Sequence, residues 1–242
     1  MYKSILILIL GLFFSFNLIS QETVTFKAPD GLEITANLYE LDETLPYIVL
    51  FHQANSSKGE YKEIAIKLLK LGYNCMAVDL RSGDNFNFVQ NETAIRAKKQ
   101  GLSTEYLDAE QDILAAIEWT WERSKKNMIV FGSSYSASLC LKIAKNEPKI
   151  KAVIAFSPGE YFLPKIKIAD ELKGYLKPTF IASSKREFKY VDEMFTEVPT
   201  DYKTIFQPQE GDGTHGARAL CIESETHKEY WLALFLFFKT IN

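Results

Sequence analysis

The segment Asn127-Met-Ile-Val-Phe-Gly-Ser-Ser-Tyr-Ser-Ala-Ser138 decides the fold of this chain. Its apolar run, residues 128–131, stops at Gly132, and Ser134 follows two residues later ahead of a helix-like stretch. This order predicts a strand, a tight turn and a helix, with a serine at the tip of the turn. It is the arrangement of a nucleophile elbow, G-x-S-x-G, with Ser136 in place of the final glycine.

The tight turn explains why this segment is a candidate catalytic site. Small residues are needed two positions before and two positions after the nucleophile, and Gly132 and Ser136 satisfy that need. Such a turn exposes the serine hydroxyl and directs the first amides of the next helix at the same point, which suits a developing oxyanion. Gly and Ser also collect at ordinary strand-to-helix turns, so the motif alone leaves a structural role open. Ser136 is a second candidate nucleophile, but it lies too far into the helix to occupy the turn.

The rest of the chain alternates short apolar runs with helical spacing. A hairpin is predicted over residues 23–27 and 33–39, and residues 81–104 read as a long polar loop. The predicted strands are residues 46–51, 74–79, 151–156, 178–182 and 204–206. The other predicted helices are residues 61–71, 105–122, 166–175, 190–195 and 224–241. This order predicts an α/β fold, a mostly parallel central sheet with helices on both faces. No insertion is long enough for a large cap.

The N-terminus is a separate segment. Residues 4–19 are almost unbroken apolar sequence after a single lysine, which is typical of a secretory signal peptide. We therefore predict a signal peptide at residues 1–20, a domain at residues 21–242, and export to the periplasm or medium. An uncleaved N-terminal anchor is the competing interpretation.

Charge and cysteine content exclude several functions. The formal net charge is −3, and no basic cluster is interleaved with aromatic residues, so nucleic-acid binding is not expected. Three cysteines are present, Cys75, Cys140 and Cys221. Buried apolar roles are favoured for the first two, and a single disulfide stays open. The three histidines, His52, His215 and His227, lack metal-ligand spacing, so no metal site is predicted.

With these motifs in place, the chain resembles the α/β-hydrolase superfamily, and more loosely its small, capless dienelactone-hydrolase-like members. The elbow would supply the nucleophile Ser134. Residues 178–187 match the family's strand-loop-acid pattern, with Glu187 where Asp is more usual. Residues 211–216, Gly-Asp-Gly-Thr-His-Gly, match the loop that carries the family's histidine, here His215. The chain order Ser, acid, His is the order of the superfamily.

The resemblance implies a role for each residue, and the chemistry requires the same roles. Ser134 is a weak nucleophile that needs a base, and His215 can accept its proton and return it to the leaving group. Glu187 would orient the imidazole ring and stabilise its charged form. The resemblance also implies two backbone amides as oxyanion donors, those of Tyr135 and Gln53.

Alternatives exist for several positions. Asp192 is the second candidate acid, because the alternative interpretation of Glu187 is a solvated charge in the charged stretch 185–189. His52 fits a structural role beside the oxyanion segment better than that of the base, and His227 is expected to be a surface or core residue. One departure from the family concerns substrate, because the dienelactone hydrolases proper use a cysteine nucleophile. A serine points to ordinary ester or acyl hydrolysis.

The sequence thus predicts a serine hydrolase of the carboxylesterase type that cleaves a small ester through a seryl acyl-enzyme. It would need no cofactor and no metal, and its partner would be a small-molecule ester rather than nucleic acid. No stable membrane association is expected after signal cleavage, and the oligomeric state is open. Two alternatives stand beside this reading: a catalytically inactive, hydrolase-like binding protein, and an acyltransferase that uses the same three residues.

Overall fold

A computed structural model describes residues 20–241 of the chain. Residues 1–19 lie outside the described part, so the signal peptide, the alternative anchor and the predicted export stay predictions. In the described part, no helix combines the length and apolar character needed to cross a bilayer.

The centre of the molecule is a sheet of eight strands in residues 20–241. The strands are β1 (Ser20–Lys27), β2 (Glu33–Glu40), β3 (Tyr47–Phe51), β4 (Asn74–Val78), β5 (Met128–Ser133), β6 (Ile150–Phe156), β7 (Thr179–Ala182) and β8 (Lys203–Phe206). Their order across the sheet is β1-β2-β4-β3-β5-β6-β7-β8. The first two strands pair antiparallel, as does β2 with β4, and all later pairs are parallel. The predicted mostly parallel sheet is confirmed.

Helices cover both faces of this sheet. They are α1 (Lys62–Lys70), α2 (Glu92–Lys99), α3 (Ala109–Ser124), α4 (Tyr135–Ala144), α5 (Ile168–Glu171), α6 (Lys185–Met194) and α7 (His227–Ile241). Buried residues of α1 and α7 belong to one apolar cluster, and buried residues of α2 to α6 belong to the other. Strands β3, β4 and β5 are buried along their whole length, which explains why they read as continuous apolar runs.

Three predicted elements differ in the structure. The loop predicted at residues 81–104 contains α2, whose first turn is capped by Asn91 through a hydrogen bond from the Ala94 amide at 2.8 Å. The helix predicted at residues 166–175 is reduced to the single turn of α5. The helix predicted at residues 190–195 begins five residues earlier, as α6, because Ser184 and Glu187 form a capping box at its start.

Buried ion pairs fix the loops that follow β4. Asp79 contacts Lys58 Nζ at 2.7 Å and also accepts the Glu92 amide at 3.0 Å. Arg81 lies between Asp112 and Asp30, at 2.7 Å from each. These contacts hold the segment beside the carboxyl ends of the strands, where ligands bind in open α/β sheets.

Candidate active site

Ser134 occupies the junction between β5 and α4 in a strained conformation. Its φ is 61° and its ψ is −125°, a region that non-glycine residues enter at a cost of about 1–3 kcal/mol. Two backbone hydrogen bonds hold it there: Ser134 N–H donates to Phe156 O at 2.8 Å, and Ala137 N–H donates to Ser134 O at 3.0 Å. The predicted elbow is therefore present, with a nearly buried serine at its tip.

The close packing of the turn explains its small residues. A Cβ on Gly132 would lie 2.4 Å from both Cα and N of Ala137, which are backbone atoms that cannot move aside. Ser136 is fully buried, and its hydroxyl donates to Phe51 O at 2.7 Å while accepting from Ser133 N–H at 2.9 Å. Ser136 thus joins the turn to the end of β3. With its hydroxyl engaged inside the protein, it is not placed to act as a nucleophile.

Glu187 and His215 are brought together as predicted. Glu187 lies in the first turn of α6, and its Oε1 contacts His215 Nδ1 directly. The other carboxylate oxygen, Oε2, accepts from Ser157 Oγ at 2.8 Å, from Ser184 N at 3.0 Å and from Ser184 Oγ at 2.9 Å. One oxygen therefore orients the imidazole, and the other is fixed by the protein.

These contacts set the charge of the carboxylate. Burial acts to raise the pKa of Glu187, but the hydrogen bonds from His215, Ser184 and Ser157 outweigh it and lower the pKa to about 2. Glu187 is therefore ionised at neutral pH. An ionised carboxylate on Nδ1 favours the tautomer whose Nε2 is free to accept a proton.

This lowered pKa predicts an acid-sensitive contribution to stability. The folded pKa is about 2 and the reference value is 4.5, so the contribution is complete above about pH 4.5. It is lost as the pH falls from there towards 2. We expect the difference in unfolding free energy between the wild type and Glu187→Gln to shrink over that interval. Urea unfolding at pH 7, 4.5 and 3 measures it, and a difference that stays constant would contradict the assigned pKa.

The loop that carries His215 is anchored next to Ser134. Gly216 N–H donates to Ser157 Oγ at 2.9 Å, and Ala217 N–H donates to Ser133 Oγ, also at 2.9 Å. The His215 and Ser134 side chains are not hydrogen-bonded to each other in this structure. Catalytic hydrogen bonds are often long in unliganded enzymes and tighten when substrate binds.

Tyr161 lies beside the nucleophile. Its hydroxyl donates to Ser157 O at 2.9 Å and also interacts with the Ser134 side chain. Ser157 in turn donates to Glu187, so one residue contacts both Tyr161 and the acid. The hydrogen-bonding role of Ser157 depends on contacts between distant segments and could not be predicted from the sequence.

The amides available for an oxyanion differ in part from the prediction. Tyr135 is the first residue of α4, so its N–H has no partner within the helix and faces the nucleophile turn. Gln53 N–H, by contrast, donates to Glu60 Oε2 at 3.0 Å, and this bond conflicts with its assignment as the second donor. The next amide, that of Ala54, donates no hydrogen bond within residues 20–241. The Ala54 amide is therefore the better candidate.

The alternative residues lie in other environments. His52 is fully buried; its Nε2 accepts from Leu80 N–H at 2.9 Å, so its Nδ1 donates to Gln53 O at 2.7 Å. Burial lowers the pKa of His52 to about 4, which keeps the ring neutral, in line with the structural role predicted for it. Asp192 is exposed on α6, away from the His215 contact. His227 Nδ1 lies 2.7 Å from Ser224 O at the start of α7.

A cleft of about 450 Å³ opens beside the histidine loop. Its lining includes Thr214 and Arg218, on either side of His215 in sequence, and also Phe86 and Asn87, but not Ser134, His215 or Glu187. The volume is in the range of small-molecule sites. The three cysteines are free thiols, and two of them are buried. The open question of a disulfide is thus answered for this structure.

Comparison with known proteins places these features in a family. The sequence profile of the dienelactone hydrolase family matches residues 34–185, well over half of the chain. That range includes Ser134 and stops short of Glu187 and His215. A search of curated proteins gave no significant match.

Solved structures agree with the fold. The esterase Pf2001 of Pyrococcus furiosus is 18% identical, covers 92% of this chain and 93% of its own, and superposes with a TM-score of 0.72. A dienelactone hydrolase from Anabaena variabilis is 15% identical over 90% of this chain and 95% of its own, with a TM-score of 0.66. The α/β hydrolase GrgF from a Penicillium species is 11% identical over 92% and 99%, with a TM-score of 0.70.

Proposed function

Because this chain belongs to the dienelactone hydrolase family, we propose that it hydrolyses a small ester through Ser134, His215 and Glu187. Membership makes it an ester-cleaving hydrolase of the α/β-hydrolase fold. The proposal adds the three residues, their roles and a covalent seryl intermediate.

The contact that carries this proposal is the one between Glu187 Oε1 and His215 Nδ1. It joins the first turn of α6, after β7, to the loop after β8, beside the turn that carries the strained Ser134. An ionised carboxylate behind a histidine, beside a serine on a tight turn, is the arrangement needed to activate a hydroxyl.

In the proposed reaction, the Ser134 hydroxyl turns to His215 when the ester binds. Its oxygen attacks the carbonyl carbon while His215 Nε2 takes the proton. The oxyanion is held by the amides of Tyr135 and Ala54. The alkoxide leaves with the proton from His215, and the acyl group stays on Ser134. Water then attacks the acyl carbon while His215 takes its proton. The bond to Ser134 Oγ breaks, His215 returns the proton to that oxygen, and the acid is released.

No large cap covers the site in the described residues, which supports a small, freely entering ester. The cleft of about 450 Å³ beside the histidine loop has the volume of a small-molecule site, but none of the three proposed catalytic residues lines it. We therefore do not place the ester in that cleft.

Labelling with a fluorophosphonate probe tests the proposal. The probe forms a Ser134 Oγ–P bond and releases fluoride only if the hydroxyl is activated. We expect an adduct on the peptide that contains Ser134, located by mass spectrometry, and none on Ser134→Ala. A folded wild type that stays unlabelled would support the inactive binding protein instead. Product analysis with added alcohols would separate hydrolysis from acyl transfer.

A further inference from the structure

Glu60 is a buried acid that the reaction described above does not use. It lies in the 3-10 turn Lys58–Tyr61 and is 3% exposed. Its Oε2 accepts the Gln53 amide at 3.0 Å, and its Oε1 is buried without a hydrogen-bond partner. Arg218 attracts the carboxylate from a distance without forming an ion pair with it.

Burial of a carboxyl group at this position costs folding free energy. Burial raises the pKa of Glu60, although the Gln53 amide and the nearby Ser133 and Ser56 hydroxyls favour the charged form. An apolar side chain of similar volume would fill the same space without that cost. The direct contact that an apolar residue could not replace is the bond to the Gln53 amide.

That bond fixes the peptide that follows β3. Gln53 is held on both sides: its N–H by Glu60, and its C=O by His52 Nδ1 at 2.7 Å. The Gln53–Ala54 peptide is trans, so the Ala54 N–H points opposite to the Gln53 C=O. With that carbonyl turned towards His52, the Ala54 N–H is directed away from His52 and is left without an internal acceptor.

The end of β3 lies next to the nucleophile turn. Phe51 pairs with Gly132 of β5, and Phe51 O accepts from both Ser136 Oγ and Tyr61 OH at 2.7 Å. The amide of Ala54 is three residues after Phe51, whose carbonyl oxygen is bound by Ser136 of the nucleophile turn. The 3-10 turn that carries Glu60 ends at Tyr61, so it is tied to the same carbonyl.

We propose that Glu60 is a positioning residue of the oxyanion hole, which withdraws the Gln53 amide and, with His52, directs the Ala54 amide towards the substrate carbonyl at Ser134. This role rests on the proposed function, because it assumes an oxyanion at that serine. Glu60 touches neither substrate nor nucleophile and acts through the backbone of residues 53–54.

Two replacements of Glu60 show whether its hydrogen bond to the Gln53 amide or its negative charge matters for catalysis. Glu60→Gln keeps a side-chain oxygen that can accept the Gln53 amide, whereas Glu60→Met fills the space and offers no acceptor. We expect kcat to fall about 50-fold in Glu60→Met with KM changed less than about twofold, because removal of a whole oxyanion donor costs about 10²–10³. Glu60→Gln should stay within about fivefold of the wild type.

The control is Glu197→Gln. Glu197 is exposed, lies outside the cleft beside the histidine loop, and holds no backbone amide in residues 20–241. This replacement should leave kcat and KM unchanged. Equal loss in Glu60→Gln and Glu60→Met, or wild-type kcat in folded Glu60→Met, would overturn the proposal.

A measurement on the wild type does not depend on the folding of any variant. Protein with 15N in its alanine and glutamine amides is compared by NMR before and after phosphonylation of Ser134. We expect a downfield proton shift of the Ala54 amide and little change at Gln53. A shift at Gln53 instead would overturn the role of Glu60 while leaving the nucleophile intact. Failure of the wild type to react would overturn both proposals.

Discussion

Alanine at position 134 is expected to lower kcat for ester hydrolysis by about 10⁴-fold or more while the protein stays folded. The hydroxyl oxygen forms the covalent intermediate, and no neighbouring group can replace it. The strained backbone, with φ at 61°, is held by hydrogen bonds of the main chain that alanine retains. Initial rates on a chromogenic acetate ester, together with the melting temperature, measure both parts of the prediction.

Ser136→Ala is the matched control in the same turn. It leaves the buried Ser133 N–H without the acceptor that lies 2.9 Å away, which costs about 1–3 kcal/mol of unfolding free energy. Its labelling by the fluorophosphonate should persist. If Ser136→Ala abolishes labelling in a folded protein and Ser134→Ala does not, the nucleophile has been assigned to the wrong serine.

Glu187→Gln is expected to lower kcat by about 10³-fold, less than loss of the nucleophile. A neutral amide beside His215 Nδ1 can donate a hydrogen bond, which favours the tautomer with its proton on Nε2, and it does not stabilise the imidazolium. Because the residues act as a unit, the double variant with Ser134→Ala should be no slower than Ser134→Ala alone. Steady-state rates of the three variants provide the comparison.

Asp192→Asn is the control for the acid. It lies on the same helix, α6, and is exposed. We expect it to retain the wild-type rate. A larger loss in Asp192→Asn than in Glu187→Gln would show that His215 takes its acid from a different position when substrate is bound.

The pattern of apolar residues predicts the positions of the strands well and the positions of the helices less well. Strands buried on both faces leave an unbroken apolar run, so their positions could be predicted to within a residue or two. Helix α2 cannot be recognised from the apolar pattern, because the residues it buries are Thr93, Ala94 and Ala97, which are small and form no apolar stripe. The start of α6 is indicated in the sequence by the S-x-x-E pattern of Ser184 and Glu187.

The residues of the candidate active site also differ in how well the sequence predicts them. Ser134, Glu187 and His215 could be named because each follows a strand in a recognisable order, and the structure brings the last two into contact. The oxyanion loop could not be assigned by residue number, because the choice between Gln53 and Ala54 depends on Glu60, a neighbour met only in the folded chain. The hydrogen bonds of Ser157 could not be predicted for the same reason.

The two oxygens of Glu187 restrict how this enzyme can evolve. Oε1 meets His215, while Oε2 closes the capping box of α6 and receives Ser157. Aspartate, one methylene shorter, is not expected to span both sets of partners from the same backbone position. A single exchange to the family's commoner acid would therefore cost activity or the helix start. Descendants of this chain are expected to keep glutamate, or to recruit an acid at another position before giving it up.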